Sequence, residues 1–132
     1  MSLLIHIASF GYRKSGIPAD ESGHGGGYVF DCRGLPNPGR EERFQALTGL
    51  DAEVELFLAA EEAVEDFLAH CLALCLSTAE AHRRRDFTQL SVSFGCTGGQ
   101  HRSVYCAERT AQALRDAGYD VVVTHNEREH WP

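Results

Sequence analysis

Apolar runs of two kinds alternate along this chain, and their order constrains the fold more than any other feature. Residues 3–10, LLIHIASF, mix Leu, Ile and Phe with little polarity, as a buried strand does. Residues 28–33 (YVFDCR) predict a second strand, 87–96 (FTQLSVSFGC) a third with alternating side chains, and 120–126 (DVVVTHN) a fourth. From Ala52 the period changes. Val64, Phe67, Leu68, Cys71 and Cys75 fall at helical spacing, and Glu61, Glu62, Glu65 and Asp66 take the opposite face. This helix or helix pair is expected to fade between Ser77 and Arg85. Over 101–117, Val104, Ala107, Ala111 and Leu114 mark a further helical stripe, and Gly118 is placed to end it. Strands separated by helices pair in parallel through right-handed crossovers. The expected fold is therefore α/β, with three layers (α/β/α) around a mostly parallel central sheet. The stretches 11–27 and 34–51, with their Gly, Ser and Pro, are expected to be irregular connections.

The 132 residues suit one domain, 1–132, with no internal repeat. Twelve Lys and Arg against nineteen Asp and Glu give a net charge of -7, which argues against broad nucleic-acid binding. The basic run Arg83–Arg85 is short enough to be a solvated loop. No segment reaches the roughly 18 consecutive apolar residues of a membrane helix. The first residues lack a basic n-region and a cleavage site, and they are better used as a strand. Five cysteines, an odd number, are expected to be reduced thiols in a cytoplasmic protein.

The third strand runs into SFGCTGGQHRSV (93–104), which packs a thiol, a hydroxyl, two glycines, an imidazole and a guanidinium into one strand-to-helix loop. In parallel α/β sheets, ligands sit beyond the carboxyl ends of the strands. A helix N-terminus presents unpaired N–H groups and partial positive charge. Gly98 and Gly99 let backbone approach a phosphate closely. Thr97 and Ser103 supply hydroxyls, Gln100 an amide, His101 a ring donor and Arg102 a planar fork for two oxygens. Arg33 and Asn37 follow the second strand at the same sheet edge, and Arg13 and Lys14 follow the first. The expected partner is a phosphorylated small molecule. The plain alternative is a turn whose polar residues only cap the helix.

Cys96 to Arg102 also spells C-x5-R, with Gly99 third after the cysteine and Ser103 after the arginine. This resembles the phosphate loop of cysteine-dependent phosphatases, in which a thiolate attacks phosphorus and the arginine holds the phosphate. Gly95 stands where tyrosine phosphatases usually have His. Asp20, Asp31 and Asp51 are the candidates for a general acid. The competing reading is a buried, inert Cys96 at the strand end.

Four motifs in order, SFGYRKSGIP (9–18), YVFDCRGLPNP (28–38), TGLD (48–51) and GCTGGQHRSVYCAE (95–108), resemble the C-terminal domain of the RNase adapter protein RapZ family. The family's N-terminal P-loop kinase-like half has no counterpart in these residues, so a stand-alone version of the C-terminal domain is expected. The resemblance implies a fold similar to a phosphofructokinase subdomain, a pocket for glucosamine 6-phosphate, and binding of small regulatory RNA. By matching positions the pocket would comprise Thr97, Gly98, His101 and Arg102, with Thr88 where the family can have Ser. Two departures stand out. Gly39 and Arg40 follow LPNP where the family commonly has a His-Trp pair, and the tail THNEREHWP is close to neutral where the family's is basic. With the acidic net charge, the tail disfavours RNA as a partner.

The function expected is a non-catalytic sensor or adapter domain that binds a phosphorylated small molecule. A Cys96-dependent phosphatase and an RNA-binding module are the alternatives. Neither a cofactor nor a metal is expected; Cys71 and Cys75 beside His70 lie on the apolar stripe and suit core packing. HGGG (24–27) is expected to be a flexible insertion, since no G-x-S-x-G accompanies it. His125 and His130 carry no signal of their own. A homo-oligomer is compatible with all of this.

Overall fold

The computed structural model describes residues 2–24 and 26–132. Gly25, within the HGGG stretch, lies outside them. Four strands form one parallel sheet: β1 (Leu4–Gly11), β2 (Gly27–Asp31), β3 (Gln89–Cys96) and β4 (Asp120–His125), in the order β2-β3-β1-β4. Three helices accompany them: α1 (Ala52–Ala59), α2 (Glu62–Arg84) and α3 (Arg102–Asp116). The α/β class with a parallel sheet is thus as the sequence predicts.

The order of strands explains where the helices go. Both helical crossovers, β2 to β3 and β3 to β4, step across the sheet in the same direction. Right-handed connections therefore lay both on one face. The step from β1 to β2 runs the other way, so the connection between them, which has no helix among its described residues, crosses the opposite face. Side-chain alternation agrees. Registered residues Ile5, Leu90 and Val121, then Ile7, Val92 and Val123, turn toward the helices. Registered residues His6 and Ser91, then Ala8, Ser93 and Thr124, turn toward the connection between β1 and β2.

The core lies between sheet and helices. Phe94, fully buried, sits 5.3 Å from Phe30, whose ring meets Phe67 of α2 edge-on. Val64, Cys71, Cys75 and Ala79 form the buried stripe of α2, which ends at Arg84, within the expected stretch Ser77 to Arg85. All five cysteines are buried and none is in a disulfide. Burial pushes the thiols of Cys71 and Cys75 up to about 12, so both pack as neutral apolar groups. Gly118 (φ +93°) ends α3 as expected, with Tyr119 N–H donating to the Leu114 carbonyl at 3.1 Å. Strand β2 stops at Asp31, two residues early: Cys32 N–H still bonds the Gly95 carbonyl, but the chain then turns, with Leu35 N–H bonding the Cys32 carbonyl at 3.1 Å. The segment 34–51 is irregular apart from single 3-10 turns at Pro38–Arg40 and Glu42–Phe44. No helix among the described residues is long and apolar enough to cross a membrane.

Candidate functional site

Neighbouring strands β1 and β3 send their chains to opposite faces, and this opens a crevice beyond their carboxyl ends. The loop Thr97–His101 occupies that place. Tyr12 N–H bonds the Cys96 carbonyl at 2.8 Å and Arg13 N–H the Thr97 carbonyl at 3.1 Å, tying the end of β1 to the loop. The two chains touch backbone to backbone. A Cβ on Gly11 would lie 2.6 Å from the Gly98 carbonyl carbon. Gly99 is in the left-handed region at φ +71°, and a Cβ there would meet Gly11 N at 2.7 Å. Gly98 has nothing within 4 Å of its Cβ position, so this part of the loop opens outward.

Arg102 opens α3 and is only 5% exposed. Its Nη1 donates to the carbonyls of Arg33 (2.8 Å) and Leu35 (3.1 Å). Its Nε is buried and bonds nothing. Among the described residues no carboxylate pairs with it; the salt bridges there join Arg33 to Asp31, Arg43 to Glu41 and His125 to Glu108. Asp31 is engaged elsewhere: the hydrogen bond from Arg33 first, with the charges of Arg33 and Arg102 adding to it, holds its carboxyl below the ordinary carboxylate value despite some burial. A buried guanidinium with no carboxylate in salt-bridge contact carries a desolvation penalty that an arriving anion would offset.

The other sequence-predicted residues divide into those the fold gathers at this edge and one it does not. Thr97 is exposed on the loop. Arg33 lies over the ring of Tyr12 at 3.9 Å, at the same edge. Asn37 accepts from Gly39 N–H at 2.9 Å and so caps the Pro38–Arg40 turn, which abuts His101. Gln100 and His101 are committed inward. Gln100 Nε2 donates to the carbonyls of Gln45 and Leu47, both at 2.8 Å, and His101 Nε2 to that of Phe44 at 2.9 Å. They anchor the segment carrying Thr48–Asp51, where Gly49 N–H bonds the Gln100 carbonyl at 2.9 Å. A Cβ on Gly49 would sit 2.5 Å from the His101 oxygen, which explains a glycine there. Ser103 serves Cys96: the thiol donates to Ser103 Oγ at 3.1 Å and receives Ser103 N–H at 3.5 Å. Cys96 itself is 3% exposed. Thr88 precedes β3 at the opposite end of the sheet, where its carbonyl accepts from Leu4 N–H. It does not join the loop.

A wide concavity lies elsewhere. A groove of about 1130 Å³ runs between the helix-free sheet face and the segment 15–28. Its lining holds Asp20, Glu21, Ser91, Ser93 and Thr88 but no Lys or Arg. With two carboxylates and no lysine or arginine in that lining, the groove suits an anion less well than the loop that carries Arg102.

Sequence reasoning missed the groups that brace the loop from β4. Ser9 Oγ bonds His125 Nδ1 at 2.6 Å, and His125 Nε2 bonds Glu108 at 2.7 Å. Glu127, 1% exposed, accepts through Oε2 from Gly11 N–H (2.9 Å), Ser15 N–H (3.1 Å) and the Ser15 hydroxyl. Trp131 Nε1 donates to the Gly99 carbonyl at 3.0 Å. No motif marks these residues; only their approach across the sheet edge does.

Burial pushes the His125 pKa below its ordinary 6.5, outweighing the Glu108 carboxylate that would raise it. The neutral ring suits the site, donating from Nε2 and accepting at Nδ1. A histidine depressed on folding binds fewer protons folded than unfolded. Its contribution is whole above 6.5 and is lost as pH falls from there toward the folded value. Burial pushes Glu127 up, but the bonds from Ser15 and Gly11 prevail and leave it below the usual 4.5, which adds a second loss at lower pH. The urea midpoint is expected to decline from pH 7.5 to 5.5, and this decline should shrink in His125→Asn. An equal decline in both proteins would show that His125 is not its source.

Comparison with known proteins agrees with this architecture. Residues 3–129 match the model of the RapZ C-terminal domain. A nucleotide-binding protein of Acinetobacter baumannii is 42% identical over 134 aligned residues, covering 98% of this chain and 44% of that protein. One of Alkalilimnicola ehrlichii is 43% identical, covering 96% of this chain and 41% of its own length. One of Alteromonas mediterranea is 40% identical over 95% of this chain. The chain thus spans less than half the length of the curated relatives it matches. A family match over residues 3–129, with relatives 40–43% identical across almost the whole chain, places this chain in the RapZ C-terminal domain family.

Proposed function

We propose that this chain is a ligand-binding domain with no catalytic step of its own, and that it takes the phosphate of a small phosphorylated molecule on the loop Thr97–Ser103. The observation that carries this is Arg102, a buried guanidinium with an idle Nε and no carboxylate partner among the described residues. The phosphate would meet Arg102, the open side of Gly98, the Thr97 hydroxyl and the free N–H groups at the start of α3. Arg33 and Asn37 flank the approach. Gln100, His101 and Ser103 act mainly by holding the loop, and Thr88 lies outside this site. Among phosphorylated molecules a sugar phosphate such as glucosamine 6-phosphate is the first candidate. The relatives' name, nucleotide-binding protein, refers to chains more than twice as long and points to a second phosphate-bearing class.

A cysteine-phosphatase reading draws on the Ser103 amide and hydroxyl at the Cys96 sulfur, an arrangement that would hold a thiolate. The burial of that sulfur within the apolar core argues for an inert thiol. RNA binding has the net charge of -7 against it.

Calorimetric titration with glucosamine 6-phosphate, inorganic phosphate and AMP tests the proposal. Saturable binding in the micromolar to millimolar range is expected. No heat with any of the three would sink it. In parallel, turnover of an aryl phosphate that disappears in Cys96→Ser would replace it with the phosphatase reading, and tight RNA binding at low salt with the RNA reading.

A further inference from the structure

We propose that Trp131 is a positioning residue that sets the orientation of the anion loop from outside it. For its ligand this rests on the reading just given; for its mechanics it does not.

After His125 the chain doubles back over the sheet edge. Asn126 N–H bonds the Ser9 carbonyl at 2.9 Å, and Glu127 grips Gly11 and Ser15. The short turn Arg128–His130 then swings Trp131 toward the loop. Its indole rests against His125 (5.5 Å between ring centres), the Arg128 guanidinium lies 5.4 Å from its ring, and Nε1–H reaches the Gly99 carbonyl at 3.0 Å. Gly99 is therefore held twice. The Glu127 side chain crowds its Cα, where a Cβ would fall 2.4 Å from Glu127 Cγ, and the indole holds its carbonyl.

A trans peptide is planar, with N–H opposed to C=O. Fixing the Gly99 carbonyl therefore fixes the N–H of Gln100, which faces away from the indole and bonds to no described residue. Gly99 could otherwise adopt many backbone conformations, and ordering it on ligand arrival would cost affinity. Trp131 removes that cost beforehand by donating one hydrogen bond from a ring already packed on His125.

Trp131→Phe keeps a ring against His125 and deletes the donor, so it separates positioning from packing. Backbone ¹⁵N relaxation and phosphate binding are measured on the full chain. In the wild type, Gly98, Gly99 and Gln100 are expected at order parameters near ~0.85, falling toward ~0.6 in the variant while β3 stays rigid. The dissociation constant for inorganic phosphate is expected to rise about three- to tenfold, the effect of one neutral hydrogen bond. Unchanged order parameters in the loop overturn the proposal, whatever happens to binding. If the loop loosens but neither protein binds phosphate, the positioning role stands and the anion reading falls.

Discussion

Gly99→Ala is expected to destabilise the fold by about 2–5 kcal/mol, as the sum of left-handed backbone strain and overpacking. The residue sits at φ +71°, where an L side chain costs about 1–2 kcal/mol. The new methyl would also fall 2.4 Å from Glu127 Cγ, 2.7 Å from Gly11 N and 2.9 Å from the Phe10 carbonyl carbon. Two of those three atoms are backbone of a central strand and cannot yield without disturbing β1. Gly98→Ala is the control. Its methyl would meet nothing within 4 Å, so stability should change by less than about 0.5 kcal/mol. That methyl would, however, fill the open space through which a phosphate approaches, and binding should weaken. Urea unfolding of both variants measures the contrast. Equal stability of the two would mean that the contact between β1 and the loop is not as close as described.

Arg102→Met is expected to cost about 1.5–3 kcal/mol of affinity for a phosphorylated ligand, the value of charge-assisted bonds. That is roughly a 10- to 100-fold rise in dissociation constant. Stability without ligand should move much less. The variant loses two bonds to the Arg33 and Leu35 carbonyls but also an uncompensated buried charge, and the two effects oppose each other. Phosphate should raise the melting temperature of the wild type and leave that of the variant unmoved. Arg102→Lys should fall between them, since it keeps the charge without the planar fork. Identical phosphate affinity in wild type and Arg102→Met would remove the loop as the anion site.

Much of this was legible in the sequence because it follows from local periodicity. The stripe Val64, Cys71 and Cys75 announces α2, and Gly118 its counterpart's end on α3, because a 3.6-residue repeat and a positive φ are short-range properties. The loop itself was legible for the same reason: Thr97 to Ser103 are contiguous. Duties inside the loop were not. Gln100 and His101 look like ligand groups by type, yet they spend their donors on carbonyls of residues 44–47, more than fifty positions away. The family resemblance alone assigns Thr88 to the pocket, but an extended chain rising about 3.3 Å per residue carries it to the far end of the sheet.

Taken alone, the sequence determined the parallel α/β class, the position of the candidate loop at a strand-to-helix junction and the family to which the motifs point. Those rest on contiguous residues and on handedness rules that hold for any chain of this pattern. Only the tertiary structure decided which face the helices share, that Arg102 is buried with no carboxylate in salt-bridge contact, and that Glu127, His125 and Trp131 brace this edge of the sheet. Strand order and chain reversal bring those groups together, and neither leaves a periodic trace in the residues themselves.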